Sequence, residues 1–510
     1  MGILHNMCTD NLYDKLSLFL KNNAESILPL KFSSIKTLFS GCSDFQFRTV
    51  NIGLDSNLFI HVCWIDGLVS GVNTAEDIIL PLTQFTRNTQ FASEDECIDL
   101  ILHGSVYSSS GKKRSTAHDV VSDLCSGFCS LIFDDTETAV SFDVRSPVSR
   151  SISEPTLEKS LKGARDSFIE VLRVNTALVR RRICSASLKL AESTVGRKSN
   201  TRVALMYVEG IANPEIIKEA AARLDRLDID ALLSTGCLEE YITDCPLSPF
   251  PQLIHTERPD RFAMYLMDGR VGILIDGLPV GLILPVNFSE FMKVTTDSNM
   301  HFMVTTMLAI LRYLALMLSL FLPALYVAVA MYHQEMIPTR LLLSIIEAKQ
   351  NVPFSTALEV LSMIIAFGLL QEAGLRLPNP IGDTVSIIGA LIVGQSAVEA
   401  QVVSPIAIIV VAVSGIACYT LPSQDMGSAV RLMQLLFLLS AIAGGLFGLA
   451  CAVCLMLLLL SSMDSFGINY TAPLSDGRPW SLFRLLVHIP KPKNKFRDPQ
   501  LKTPDRRRQK

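Results

Sequence analysis

The chain is poor in charged residues. They make up 18% of its 510 residues, whereas a typical soluble protein has roughly 25%. The deficit is concentrated in three runs without any charged residue, which cover 313–331, 402–422 and 432–460. About 20 apolar residues cross a ~30 Å hydrocarbon core, so each run is long enough to span a membrane. The composition therefore excludes a wholly soluble protein and predicts an integral membrane protein.

The sequence also lacks the common signatures of catalysis and metal binding. It contains no Walker-type phosphate loop and no GxGxxG, GxSxG or HExxH motif, and its eight histidines lie at no ligand spacing from cysteines or acids. We therefore expect no enzyme activity, no cofactor and no metal site. Residues 1–20 lack the pattern of a secretory signal, and the 12 cysteines form no paired framework.

The net charge of −4 conceals a strongly basic C-terminal tail. Residues 484–510 carry ten Lys and Arg residues against two acids, Asp498 and Asp505. A basic segment directly after the last span is typical of the cytoplasmic side, so we expect both ends of the chain in the cytoplasm. The prolines and the missing apolar periodicity of the tail predict disorder beyond about Ile489.

Two cytoplasmic ends require an even number of crossings, and we expect four. Three are the uncharged runs, and Arg312 is expected to snorkel to the cytoplasmic interface at the start of the first. The fourth would come from Ala357–Gln371 or from Thr384–Val398. One of these two segments would then lie in the membrane plane or re-enter it.

Two stretches of the soluble region follow one pattern of strand, turn and helix. Gly67 and Gly210 are 143 residues apart, and both follow an acid at the end of an apolar run. Asp134 and Asp276, 142 apart, lie between two strand-like runs, where turns are expected. We infer two α/β subdomains that arose by duplication.

A basic stretch separates the two repeats. Glu154–Arg197 is predicted to form a long helix that includes the run 180–182 of three arginines. One interpretation is a solvated helical linker. The other is a basic surface that contacts lipid or an acidic partner.

A dense polar cluster occurs in the second repeat. It contains Glu257, Arg258 and Asp260, and Glu257 could pair with Arg258. Pro259 suits the first turn of a helix, so one interpretation is helix initiation. The alternative is a docking cluster that binds a neighbouring subunit.

Several motifs together resemble the A-subunit family of bacterial spore germinant receptors, the GerA family. In chain order, the motifs are Trp64-Ile-Asp-Gly-Leu68, Arg180-Arg-Arg182, Leu247-Ser-Pro-Phe-Pro-Gln252, Thr256-Glu-Arg-Pro-Asp260, Gly269-Arg-Val-Gly-Ile-Leu-Ile-Asp-Gly277, Leu311-Arg-Tyr-Leu314, Leu322-Pro-Ala-Leu-Tyr326, Ile337-Pro338, Glu372-Ala-Gly-Leu-Arg-Leu-Pro378 and Ser465-Phe-Gly467. The resemblance runs from about residue 40 to 480. Three residues depart from the family pattern: Gly368 and Gln395 replace acids, and Gln371 replaces an arginine.

The resemblance implies a non-enzymatic, multi-pass subunit of a complex in the inner membrane of a dormant spore. The implied partners are a transporter-like B subunit and a lipoprotein C subunit, and the A subunits would oligomerise around an ion-conducting pore. One alternative is a paralogue that resembles the stage V sporulation AF protein and works with the dipicolinate-release machinery. A more remote alternative is a membrane-anchored α/β enzyme.

One segment is a candidate lining of the conducting path. On a helix, Thr384, Ile388, Leu391, Gln395 and Glu399 form a single stripe that is polar at its ends and apolar in the middle. In a ring of subunits, the two apolar residues would form a constriction that closes by dewetting, and the acid would favour cations. The alternative is that this helix only packs within the bundle.

The predicted architecture is therefore an α/β soluble region of two duplicated subdomains, followed by an α-helical transmembrane bundle. Its segments are an N-terminal helical segment (1–39), subdomain 1 (40–150), a basic helical linker (151–199), subdomain 2 (200–295), a transmembrane domain (296–470) and a basic cytoplasmic tail (471–510).

Overall fold

The protein forms two compact units, seen in a computed structural model that describes residues 28–52, 58–88, 94–103, 111–145, 155, 158, 163–376, 395–476 and 486–509. The first unit comprises the chain up to Thr243, then Leu253–Pro285 and Lys491–Lys510. The second comprises Asp244–Gln252 and Val286–Pro490. Most of the N-terminal helical segment predicted at 1–39 lies outside the described residues.

Subdomain 1 is a five-stranded antiparallel sheet with helices. Its strands pair in the order β1-β2-β4-β5-β3, and they are β1 (Phe45–Ile52), β2 (Leu58–Ile65), β3 (Lys112–Arg114), β4 (Phe128–Phe133) and β5 (Thr138–Asp143). Its helices are α1 (Phe32–Leu38), α2 (Leu80–Asn88), α3 (Glu94–His103) and α4 (Ala117–Cys125). A short α-helical segment, Gly71–Asn73, and a π-helical segment, Thr74–Ile79, lead into α2.

Subdomain 2 repeats this topology. Its strands pair in the order β6-β7-β9-β10-β8, and they are β6 (Leu188–Val195), β7 (Thr201–Val208), β8 (Ile254–Thr256), β9 (Val271–Ile275) and β10 (Gly281–Leu284). Its helices are α5 (Leu172–Arg182), α6 (Pro214–Asp225), α7 (Thr235–Ile242) and α8 (Pro259–Asp268).

The predicted duplication is confirmed by the spacing of equivalent elements. The first residues of β1 and β6 (45 and 188), of β2 and β7 (58 and 201), and of β4 and β9 (128 and 271) are each 143 apart. Equivalent aspartates also make equivalent bonds. Asp134 Oδ1 accepts the Phe32 N–H at the start of α1 (2.7 Å), and Asp276 Oδ1 accepts the Leu172 N–H at the start of α5 (3.0 Å). Each aspartate therefore satisfies a free N–H group at a helix start.

Two glycines explain how α8 packs against its sheet. The ring of Phe262 is fully buried, and a Cβ atom at Gly272 or Gly281 would lie 2.2 or 2.6 Å from it. The two glycines sit on the neighbouring strands β9 and β10. Their missing side chains therefore make a hollow in the sheet that the ring fills.

The predicted long helix over Glu154–Arg197 is wrong. Among the described residues of this segment only those of α5 are helical, and the chain then enters β6, the first strand of the second sheet. The charges that suggested a solvated surface are largely paired inside the first unit: Arg180 binds Asp44, Arg182 binds Asp166, and Lys189 Nζ donates to the Leu38 carbonyl (2.7 Å). Because two of these partners lie more than 130 residues away in the sequence, the composition of the segment alone does not reveal its strand.

The second unit is a helical bundle. Its helices are α9 (Phe302–Tyr332), α10 (Thr339–Lys349), α11 (Thr356–Arg376), α12 (Pro405–Tyr419) and α13 (Gln424–Ser462), and residues 395–399 are also helical. Among the described residues, three helices are long and apolar enough to cross a membrane: α9, the part Thr356–Ala373 of α11, and α13. The run 402–422, predicted as a span, contains the shorter α12 of 15 residues. The candidate fourth crossing Ala357–Gln371 lies within α11, while most of Thr384–Val398 lies outside the described residues.

The last apolar run is a broken helix. A continuous helix of 39 residues would extend about 58 Å, nearly twice the hydrocarbon core. Gly445 interrupts it with φ 59° and ψ −138°, and a Cβ atom at Gly448 would lie 2.1 Å from the Ser440 carbonyl oxygen. In a straight helix, Ser440 and Gly448 would be about 12 Å apart along the axis. The chain therefore bends sharply at Gly445.

The predicted disorder of the C-terminal tail is wrong for its described part. Residues 486–509 form short turns, and Phe496 pairs with Arg507 in a β-bridge. The Arg497 guanidinium is buried and donates to the carbonyls of Met267, Asp505 and Arg507. Polar contacts, those of Arg497 among them, thus hold the described tail, and contacts of this kind need no apolar periodicity in the sequence.

Candidate functional site

The polar cluster at the start of α8 is built around two charged pairs. Arg258 donates to both carboxylate oxygens of Asp260, at 3.0 and 2.6 Å. Thr256 Oγ1 accepts the Arg258 N–H (3.2 Å) and donates to Glu158 (2.7 Å), which also binds Arg261. Burial lowers the pKa of Arg261, but Tyr265 and Glu158 raise it more, and the net pKa lies above its usual value.

This geometry supports the structural interpretation of the cluster. Arg258 is almost fully buried, so its guanidinium is occupied inside the first unit. Pro259 is the first residue of α8, as the sequence predicts. Glu257 accepts the Phe168 N–H with its backbone carbonyl (2.7 Å), and its side chain is half-buried. Docking through Glu257 and Asp260 remains a prediction.

The predicted pore stripe is described only at its C-terminal end. Thr384, Ile388 and Leu391 lie outside the described residues. Gln395 and Glu399 lie on one face of the helical turn 395–399, where Gln395 Nε2 donates to Glu399 Oε1 (3.1 Å). Both side chains are exposed, so they are free of the packed interior of the bundle.

A buried carboxylate is a candidate functional residue that sequence reasoning missed. Glu359 lies in the first turn of α11 with no exposed side-chain area, next to an apolar cluster that includes Val327, Val403 and Ala407. Ionisable residues inside a membrane bundle are costly and usually functional. The available signal was one charged residue in the otherwise apolar segment Ala357–Gln371.

Arg312 also differs from its prediction. Its guanidinium donates to both carboxylate oxygens of Asp297 (2.6 and 2.8 Å) and to the Met292 carbonyl (3.2 Å). Only 11% of its side chain is exposed. Arg312 is therefore held by neighbouring turns of the second unit instead of snorkelling.

Comparison with known proteins identifies the family. Residues 33–500 match the family described as Bacillus/Clostridium GerA spore germination protein. The chain belongs to the GerA family. The match extends over both units, so the resemblance seen in the sequence is confirmed.

Individual GerA relatives are similar over most of their length. Spore germination protein KA of Bacillus subtilis (strain 168) is 36% identical over 447 residues, 87% of this chain and 81% of that protein. Spore germination protein B1 of the same strain is 34% identical, over 91% of this chain and 95% of that protein. The uncharacterized membrane protein YfkQ of the same strain is 35% identical, over 94% of this chain and 91% of that protein. A solved structure, the N-terminal domain of the A subunit of the Bacillus megaterium spore germinant receptor GerK3, is 30% identical, covers 52% of this chain and 96% of its own, and has a TM-score of 0.38.

One departure from the GerA pattern acquires a structural context. Gln371, predicted to replace an arginine of the family, accepts a hydrogen bond from Arg431 of α13 (2.8 Å). Gln434, one turn further along α13, donates to Ser414 of α12 (3.2 Å). The two bonds tie α13 to α11 and to α12 within the bundle. An arginine at 371 would place two positive charges at this contact.

Proposed function

We propose that the chain is the A subunit of a germinant receptor, which transduces a nutrient signal and forms an oligomeric ion channel. The family match over residues 33–500 is the observation that carries this proposal. It includes the duplicated soluble subdomains and the membrane bundle, so the chain has both parts that a signal-transducing subunit needs. The proposed location is the spore inner membrane, and the proposed partners are a transporter-like B subunit and a lipoprotein C subunit.

The conducting path is proposed to run along the stripe Thr384, Ile388, Leu391, Gln395 and Glu399. The exposed pair of Gln395 and Glu399 supports this assignment, because these polar side chains are available to line water. A ring of Glu399 carboxylates would favour cations, and the apolar residues before it would close the path by dewetting.

Both ends of the chain are proposed to lie in the cytoplasm. The C-terminal tail packs against the soluble subdomain 2 through Arg497, which supports a common side for the tail and the soluble region. The number of four crossings remains a prediction. A cysteine introduced at Lys21 or Lys510 should be protected from an impermeant maleimide outside intact, right-side-out vesicles, and labelling of either would contradict the orientation.

Deletion of the gene from its host tests the receptor role. Spores without the chain should release monovalent cations normally with some nutrients and fail with others, because a receptor subunit serves particular germinants. Loss of dipicolinate release with every nutrient, after normal cation release, would instead favour the stage V sporulation AF-type alternative. Normal germination with all nutrients, in a strain without other GerA-family genes, would contradict both.

Two substitutions test the channel. Ile388→Ala and Leu391→Ala should increase cation leakage without nutrient, because a wider and less apolar constriction wets more readily. Ile409→Ala, at an exposed position on α12, is the control and should not leak. Normal closed-state permeability in variants present at wild-type abundance would rule out the pore assignment.

A further inference from the structure

The buried carboxylate of Glu359 has an unequal set of partners. Its Oε2 atom accepts the Ser404 N–H (3.2 Å), and Ser404 caps the N-terminus of α12. The positive end of that helix therefore stabilises one carboxylate oxygen. The other oxygen, Oε1, is equally inaccessible to solvent and makes no hydrogen bond.

The side chain of Lys349 compensates this second oxygen. The ammonium of Lys349 lies 3.4 Å from Glu359 Oε1, and it also binds Thr356 Oγ1. Thr356 is itself buried. Two oxygens, one from a carboxylate and one from a hydroxyl, thus face one small positive charge. Hard monovalent cations bind to oxygens of these kinds.

The carrier of this cation is weakly packed. Lys349 is the last residue of α10, a helix in which no residue is buried. The side chains of Leu341, Leu343 and Ile346 are more than half exposed within the second unit. Lys349 itself is 27% exposed, whereas Glu359 is not exposed at all. The ammonium can therefore leave without disrupting a core, but the carboxylate cannot.

We propose that Glu359 Oε1 and Thr356 Oγ1 form a binding site for one small monovalent cation, which Lys349 occupies as a tethered ammonium. Departure of Lys349 leaves a buried carboxylate without its counter-charge, and this is costly unless a free cation replaces it. The site therefore takes K⁺, NH₄⁺ or a small alkylammonium ion when α10 moves away. While Lys349 stays in the site, its ion pair with Glu359 holds α10 against α11.

The test uses the purified full-length chain in detergent and needs no channel activity. Thermal unfolding is measured with choline as the only cation and then with increasing KCl, NH₄Cl or methylammonium chloride at constant ionic strength. The Lys349→Met variant should unfold at least about 3 °C below wild type in choline. Small cations should restore its Tm saturably, with little effect on wild type.

Matched variants separate a site from a general salt effect. The double variant Lys349→Met/Glu359→Gln should unfold above Lys349→Met in choline and show no response to small cations, because the uncompensated charge is gone. Lys293 pairs with Glu290 in the same unit but is half exposed, so Lys293→Met should respond to no cation. A Lys349→Met variant without cation response, or an equal response in the double variant, would overturn the proposal.

A second measurement covers the case in which Lys349→Met does not fold. In the Glu359→Gln variant the ammonium loses its counter-charge, so acetylation of Lys349 by a water-soluble reagent should be several-fold faster than in wild type. Acetylation of Lys293, measured by mass spectrometry in the same sample, is the internal control. An unchanged Lys349 rate would show that Glu359 does not hold the ammonium.

Discussion

Arg180 and Asp44 form an ion pair that joins the two soluble subdomains. The guanidinium donates to both carboxylate oxygens (2.7 and 2.9 Å), and the two side chains are 0% and 1% exposed. Burial lowers the pKa of Arg180, but Asp44 raises it more, so the pKa lies above its usual value. At the residue scale, a basic run that looked like a solvated surface therefore contains a buried contact between the subdomains.

Removing one partner of the pair should destabilise the protein much more than removing both. Arg180→Met should lower the free energy of unfolding by about 3–5 kcal/mol, because it leaves Asp44 buried and unpaired. Arg180→Met/Asp44→Asn should lose less than the sum of the two single variants. Urea unfolding of the detergent-purified chain can be followed by the fluorescence of Trp64 in a Trp480→Phe background, since the chain has two tryptophans. If the losses of the two single variants simply add up in the double variant, the two side chains have no coupling free energy.

The break in α13 is the main feature at the element scale. Gly445 adopts φ 59° and ψ −138°, a combination that is essentially limited to glycine. The Tyr332 ring lies 3.0 Å from the place of a Cβ atom at this position, and its hydroxyl donates to the Ile442 carbonyl (2.6 Å). The end of α9 therefore packs into the bend.

Gly445→Ala should destabilise the bend, and its neighbour is a matched control. The backbone conformation alone should cost about 1–3 kcal/mol, and the new methyl group would press on Tyr332. A Cβ atom at Gly444 would meet nothing within 4 Å, so Gly444→Ala should be tolerated. Abundance in the membrane and Tm in detergent are the measurements. Equal values for the two variants would contradict the role of Gly445.

The C-terminal tail matters at the scale of the whole molecule. It follows the last membrane helix in sequence but belongs to the first unit, where Arg497 binds the end of α8 and Thr503 packs on Gly269. The chain therefore enters the bundle from the soluble unit and returns to that unit. With these boundaries the chain passes between the two units four times, at residues 243–244, 252–253, 285–286 and 490–491.

Arg497→Ala should release the tail. The variant removes the three hydrogen bonds from the guanidinium to the Met267, Asp505 and Arg507 carbonyls, so trypsin should cut after Lys493 and Lys495 several-fold faster than in wild type. Asn494→Ala changes an exposed residue of the same segment and keeps both cleavage sites, so it is the control. Fragments are quantified by mass spectrometry after brief digestion. Equal cleavage rates in all three proteins would indicate that Arg497 does not hold the tail.

Local patterns were enough to predict part of this fold. The apolar runs before Gly67 and Gly210 predicted β2 and β7, and Pro259 predicted the start of α8. The edge strands β3 and β8 were missed because three residues carry too little periodicity to be recognised. β6 was missed because its charged residues find partners far away in the sequence, such as the Leu38 carbonyl for Lys189.

The sequence by itself determined the class of molecule: a duplicated soluble region, a membrane bundle and membership of the GerA family. These properties depend on composition, spacing and motifs, which are local or cumulative along the chain. Only the tertiary structure decided where the isolated charges go. Asp44 lies 136 residues from Arg180, Lys349 lies 10 from Glu359, and Met267, one of three partners of Arg497, lies 230 away. Whether a buried charge is stable depends on such partners and not on its immediate neighbours in sequence.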